Sequence, residues 1–149
     1  MIPVYAEAGK SLRSVVEDKS MKSEASSAII VRDIDRKVFL ARRSLRKQYS
    51  PGEWEMVGGV MEDGETAEDC VAREIREELK CELASLKFFR SYKFAEKEFH
   101  VFEVKLDSEP RPNVQDFEEW GWFDENSIKE MNFALNCKER LLDYFEETH

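Results

Sequence analysis

At 149 residues and 42% hydrophobic content, the chain has the bulk for one domain with a proper core, and no repeat or low-complexity linker divides it. Its net charge of −9 leaves no basic footprint for long nucleic acid, whereas a small anionic substrate needs only a local cationic patch and a metal. Three cysteines without metal-type spacing fit reduced thiols in a cytoplasmic protein. His100 and His149, the only histidines, are too few for a zinc site or a histidine relay, and no apolar run or secretory signal points to a membrane.

Residues 1–25 are polar and read as an N-terminal extension or first strand of a single domain whose body is 26–149. Two β-rich runs, Ala28 to Val31 and Val38 to Ala41, flank Asp33-Ile34-Asp35-Arg36 and predict a hairpin. Arg42, Arg43, Arg46 and Lys47 follow. They read either as an anion-binding patch or as the ordinary charges of an edge strand. After Ser50-Pro51-Gly52 a short strand over Glu53 to Val57 enters Gly58-Gly59, and Trp54 within it is either a core aromatic or a stacking surface for a nucleobase.

Thr66, with Asp69 three residues on, predicts a helix start, and no Gly or Pro interrupts the stretch from Ala67 to Cys81. Val71, Ile75 and Leu79 recur every four residues as its buried stripe. Glu74, Glu77 and Glu78 gather on another face at i, i+3 and i+4, where like charges cost about 0.2–0.5 kcal/mol per pair. A solvated face neutralised by Arg73 and Arg76 is one reading of such a run. The glycines before the helix favour the other, because permissive backbone there lets a carbonyl approach a metal and leaves the helix start open to phosphate. A ligand set made only of carboxylates suits Mg²⁺, with Mn²⁺ as the alternative ion.

Downstream, Phe88–Phe94 and Phe99–Leu106 read as strands around Ala95-Glu96-Lys97-Glu98, and Trp120–Phe123 as a last strand beyond Pro110 and Pro112. Asn136 with Glu139 predicts a capped C-terminal helix carrying Leu141, Leu142 and Tyr144 or Phe145. The expected class is α/β (α+β), with a mixed sheet between helices.

The stretch GVMEDGETAEDCVAREIREELKC holds Gly59, five residues, Glu65, seven residues, then Arg73-Glu74-Ile75-Arg76-Glu77-Glu78, with Cys81 as the closing apolar position. It resembles the signature of the Nudix hydrolases, except that Lys80 stands where the family has a second glycine. The resemblance implies an α/β/α sandwich and a metal-dependent hydrolase that splits a pyrophosphate bond in a nucleoside diphosphate linked to a group X. In that family the acids matching Glu74, Glu77 and Glu78 bind the metal, assisted by the carbonyl matching Gly59. Glu65 and Arg73 match a salt bridge that ties loop to helix. Many members carry a further acid acting as base in the zone of Asp116, Glu118 and Glu119; Glu118 is the first candidate and Asp116 the second, against a reading of all three as solvated loop acids. Arg42, Arg43 and Trp54 are the candidate substrate contacts, the partner a small nucleotide, and the assembly a monomer or homodimer. Two other readings stand beside the hydrolase. One is an isopentenyl-diphosphate isomerase, which shares an Arg42-Arg43-Ser44 and Pro51-Gly52-Glu53-Trp54-like approach but needs a reactive cysteine where this chain has Gly58. The other is a nucleotide-binding module that has lost turnover.

Overall fold

Apolar alternation on both sides of a tight turn builds the first hairpin. In this computed structural model, which describes residues 24–148, β1 (Glu24–Arg32) and β2 (Lys37–Arg43) run antiparallel around Asp33 to Arg36. The Arg32 guanidinium reaches Asp35 at 2.8 Å and closes the turn. The strand expected over residues 53–57 is two strands. β3 (Trp54–Glu55) pairs with β2, the chain steps across at Met56, and β4 (Val57–Val60) pairs with β1. β1 is thus shared, its first half lying beside β4 and its last residues beside β2.

A second hairpin of β5 (Leu83–Phe94) and β6 (Lys97–Leu106) turns tightly at Ala95 and Glu96, both at positive φ, as two-residue hairpin turns require. β6 runs parallel to β1 over Glu24 to Ile30, while β7 (Phe117–Phe123) adds antiparallel to the other edge of β2. The result is a seven-stranded mixed sheet in the order β3-β2-β1-β6-β5, with β4 on β1 and β7 on β2.

Both faces of the central strands are covered, which is why β1 reads as a nearly continuous apolar run. On one face helix α1 (Ala67–Leu79) packs Val71, Ile75 and Leu79 against Ala28, Ile30, Phe39, Val57, Phe102 and Val104. On the other, α2 (Glu125–Lys129) and α3 (Cys137–Glu147) bring Ile128, Leu141, Tyr144 and Phe145 onto Ile29, Val38, Leu40, Met56 and Val101. This is the sandwich the sequence predicts.

Two local expectations need correction. The short α2, started by Asp124 accepting from the Ser127 amide at 2.9 Å, has no counterpart in the sequence reading. Asn136 precedes α3 without a side-chain capping bond, because its Oδ1 accepts instead from Arg140 Nε at 2.9 Å. Arg140 is fully buried, lies over the Phe99 ring at 4.7 Å and donates to Ser27 Oγ at 3.0 Å, so it ties α3 to β1. The three cysteines are buried free thiols. Among the described residues no helix is long and apolar enough to cross a membrane. The expected extension over residues 1–25 lies outside the described residues except for Glu24 and Ala25, which open β1, and His149 lies outside them as well.

Candidate active site

Helix α1 starts and stops where its sequence dictates. Thr66 Oγ1 accepts from the Asp69 amide at 3.0 Å, satisfying one of the orphan donors of the first turn. At the other end Lys80 takes the left-handed conformation (φ 60°, ψ 36°), and its N–H bonds back to the Arg76 carbonyl. Lys80 therefore performs the chain reversal that the family assigns to glycine. Its Nζ also donates to the Glu77 carbonyl at 3.0 Å, placing a cation on the negative end of the helix.

Arg73 is the hub of the loop before α1. Its fork grips Glu65 through Nε (2.7 Å) and Nη2 (3.0 Å), and Nη2 also donates to the Val60 carbonyl at 3.1 Å. Nη1 reaches the Glu74 carboxylate at 2.9 Å and Glu77 at 3.4 Å. Glu65 in turn accepts from the Glu62 amide at 2.9 Å. Loop, strand end and helix are thus fastened through one side chain. Partial burial opposes ionisation of Glu65, but the Arg73 charge and hydrogen bonds win and hold its carboxyl below the usual value.

Glu74 is buried at 1% exposure and lies against Gly59 so closely that a Cβ on Gly59 would sit 2.4 Å from Glu74 Oε2. The glycine is there to admit the carboxylate. Gly58 has a different duty. A Cβ on it would stand 2.1 Å from the Ser26 carbonyl oxygen in β1, so any side chain there would push β4 off the sheet. The Gly59 carbonyl points toward α1 and accepts from Cys70 Sγ at 3.4 Å.

Burial, and then neighbouring charge, raises two of these acids. Burial pushes the Glu74 carboxyl up to about 8, against the pull of Arg73 and with a push from Glu77. Glu78, one turn on, is held well above the carboxylate range by burial and then by the charges of Glu74, Glu55 and Asp116. Glu77 stays largely exposed. Glu55 is the acid that sequence reasoning missed. It sits buried on β3 in an ion pair with Arg43 at 3.2 Å, and burial pushes its carboxyl upward despite that partner. The only sequence signal for it was strand parity, since Glu55 and Val57 point to the α1 side while Trp54 and Met56 point to the other.

The remaining candidates divide. Arg43 spends its charge on Glu55 and donates to the Tyr49 carbonyl, and Arg42 pairs with Glu119 at 2.7 Å. Lys47 pairs with Asp116 at 2.9 Å, which sets Asp116 beside the segment after β2 while its charge reaches Glu78. Glu118 accepts from the Leu45 amide at 3.1 Å. The Trp54 ring packs edge-on against Phe123 at 4.9 Å, on the α3 side of the sheet and away from the acids.

Comparison with known proteins agrees with this architecture. A family model described as the NUDIX domain matches residues 22–144. The NAD-capped RNA hydrolase NudC of Chromobacterium violaceum is 30% identical over 110 residues, covering 72% of this chain and 40% of that protein. An uncharacterized Nudix hydrolase of Nostoc sp. is 38% identical over 93 residues, covering 58% of this chain and 55% of that one. The chain thus matches only about half, or less, of the length of these relatives. Among solved structures, DR0079 from Deinococcus radiodurans superposes with a TM-score of 0.71 at 22% identity, covering 85% of this chain and 87% of that one. With its loop and helix signature, its sandwich fold and this match over most of its length, the chain belongs to the Nudix hydrolase family.

Proposed function

We propose that the protein is a metal-dependent hydrolase of phosphoanhydride bonds, acting on a nucleoside diphosphate linked to a second group, such as a nucleoside triphosphate, an oxidised nucleotide or a nucleotide sugar. The observation that carries this reading is the convergence of Glu74 and Glu78 with Glu55 and Asp116 near one end of α1, where burial opposes the ionisation of Glu74, Glu78 and Glu55 and the charges of Glu74, Glu55 and Asp116 add repulsion at Glu78. So costly a gathering of carboxyls is relieved by a hard divalent cation, and the donor set, all oxygen, fits Mg²⁺ or Mn²⁺. Glu74, Glu77, Glu78 and the Gly59 carbonyl would hold it. A cation held there would supply charge neutralisation for the substrate's phosphates and a water of lowered pKa. The protein's own share is positional. Arg73 fixes the loop against the helix, and Asp116 or Glu118 takes the proton from the attacking water. Arg46 is exposed and outside every ion pair among the described residues, so its guanidinium is available to a phosphate oxygen.

The isomerase reading is disfavoured by the backbone itself, because the space a cysteine would need at Gly58 is filled by β1. Retention of Glu65, Arg73, Glu74, Glu77 and Glu78 together favours turnover over a module that only binds.

The test is a panel of nucleoside triphosphates, nucleotide sugars and dinucleotides with Mg²⁺, scored for phosphate, pyrophosphate and nucleoside monophosphate. The dinucleotides are included because one relative is named for NAD-capped RNA. At least one compound is expected to turn over. Glu78→Gln should then lower kcat/KM by about 100-fold or more, the loss of a few kcal/mol of charge stabilisation, while the melting temperature holds or rises. Asp116→Asn and Glu118→Gln locate the base, which should lower kcat more than it alters KM. No turnover across the panel, or equal turnover by wild type and Glu78→Gln, would overturn the reading.

A further inference from the structure

The chain has three tryptophans, and two of them are engaged. Trp54 packs on Phe123. Trp122 stands edge-on to Phe39 at 5.6 Å, lies under the Arg32 guanidinium at 4.5 Å and donates its indole N–H to Glu109 at 3.0 Å. Trp120 differs from both. It is 39% exposed, and its ring makes no aromatic contact, cation–π contact or hydrogen bond among the described residues.

Strand register says where that free ring is. Ala41 of β2 pairs with Trp120 of β7 on one side and with Glu55 of β3 on the other. Directly opposed residues project to the same face of a sheet, so Trp120, Ala41 and Glu55 form one row across three strands. Ala41 belongs to the core under α1, so the row faces the helix that carries the acids. Ala41 is the residue between Trp120 and Glu55 in that row, and the Arg43 guanidinium lies against the Glu55 carboxyl. Two strand spacings, roughly 10 Å, separate the outer backbones, about the reach of a nucleoside with its first phosphate. Glu55 is in turn one of the charges felt at Glu78.

We propose that Trp120 is the stacking surface for the substrate's nucleobase, and that it restricts the site to phosphoanhydrides that carry a base. The inference rests on the reading that the neighbouring acids work on phosphoanhydrides, and it gives the base a place on β7 instead of on Trp54. A solvent-facing indole beside a site for highly charged phosphates holds an aromatic ring without hydrogen-bond readout, so it selects for the presence of a base more than for its identity.

Binding of the four α,β-methylene nucleoside triphosphates, with adenine, guanine, cytosine or uracil, is measured by isothermal titration calorimetry in wild type, Trp120→Ala and Trp120→Phe, with tryptophan fluorescence followed in the wild type. Inorganic tripolyphosphate with Mg²⁺ is the baseless control, followed by thermal shift. At least one analogue should quench wild-type fluorescence. Trp120→Ala should weaken its binding by about 5- to 150-fold, the size of a base–aromatic stack, and Trp120→Phe should stay within about threefold of wild type by preserving a ring face. Tripolyphosphate should bind all three proteins alike. In turnover, KM should rise in Trp120→Ala while kcat changes little. The proposal is overturned if no analogue quenches the wild type, if Trp120→Ala binds the analogues as tightly, or if tripolyphosphate binding weakens in parallel. It is equally overturned if Trp120→Ala alters the sedimentation coefficient and leaves nucleotide affinity unchanged, which would make the residue a protein contact. Failure of the hydrolase reading looks different: the analogues bind through Trp120 but nothing in the panel is cleaved.

Discussion

Arg73 shows how one side chain serves both architecture and chemistry. Its three nitrogens hold Glu65, the Val60 carbonyl and Glu74, so removing it loosens the loop and strips a buried carboxylate of its counter-charge. Arg73→Met should destabilise the protein by about 1–3 kcal/mol, the range for hydrogen bonds to charged groups that lose a partner, and should lower kcat/KM at the same time. Arg73→Lys keeps the charge but not the fork, and should recover only part of either loss. Denaturant melts and steady-state kinetics on the same variants check this; loss of activity at unchanged stability would place Arg73 against substrate and not in the scaffold. At this scale much was legible. The gathering of Glu74 and Glu78 follows from spacing along one helix, and the Glu65–Arg73 pair from the resemblance of loop and helix to the family signature. Glu55, the engagement of Glu118 with Leu45 and the opposite facing of Trp54 and Trp120 were not legible, because they depend on which residue of β2 each neighbouring strand meets.

Among the elements, α1 bears the sharpest sequence question, and its end answers it. Lys80 adopts positive φ, a conformation costing a side-chain-bearing residue roughly 1 kcal/mol, offset in part by the helix dipole and by its bond to the Glu77 carbonyl. Lys80→Gly should therefore stabilise the protein slightly, by up to about 1 kcal/mol, and leave kcat within about twofold, since the acids are fixed by Arg73 and Gly59. A thermal melt and a kcat measurement suffice, and a large rise in kcat would mean that the natural lysine distorts the site. Alternation and turn residues made the strands readable, and the Thr66 cap made α1 readable. The division of β3 from β4 was hidden because the chain changes partner strand at Met56 with no Gly or Pro to mark it. Asn136 carried the right residue type for a cap, but a buried arginine one turn later took its oxygen.

For the molecule as a whole, the raised carboxyls make stability depend on pH in an unusual direction. Glu74 moves from 4.5 to about 8 on folding, and Glu78 moves the same way. Below the ordinary carboxylate range both folded and unfolded chains hold these protons, and neither group matters. Above it the unfolded chain releases protons that the folded chain keeps, so stability should fall as pH rises toward 8, by up to about 1.4 kcal/mol per pH unit for each group. In EDTA the melting temperature should drop between pH 5 and 8, Glu78→Gln should flatten the slope, and saturating Mg²⁺ should remove it by favouring the ionised form. A metal-free melting temperature that is flat or rises over that interval would contradict this account.

The parallel pairing of β1 with β6 gives this arrangement a history as well as a shape. β1 is an early segment, but the neighbour that buries its edge comes from the second half of the chain, and Asp116 comes later still. During synthesis at roughly 5–20 residues per second, α1 emerges and coils while Glu74 and Glu78 are surrounded by water, as ordinary ionised carboxylates. Long-range strand closure is the slow step in such topologies. Glu78, which feels the charge of Asp116, therefore meets its full surroundings only as the sheet zips shut, so a divalent ion present in the folding milieu should accelerate the last stage of assembly as well as stabilise its product.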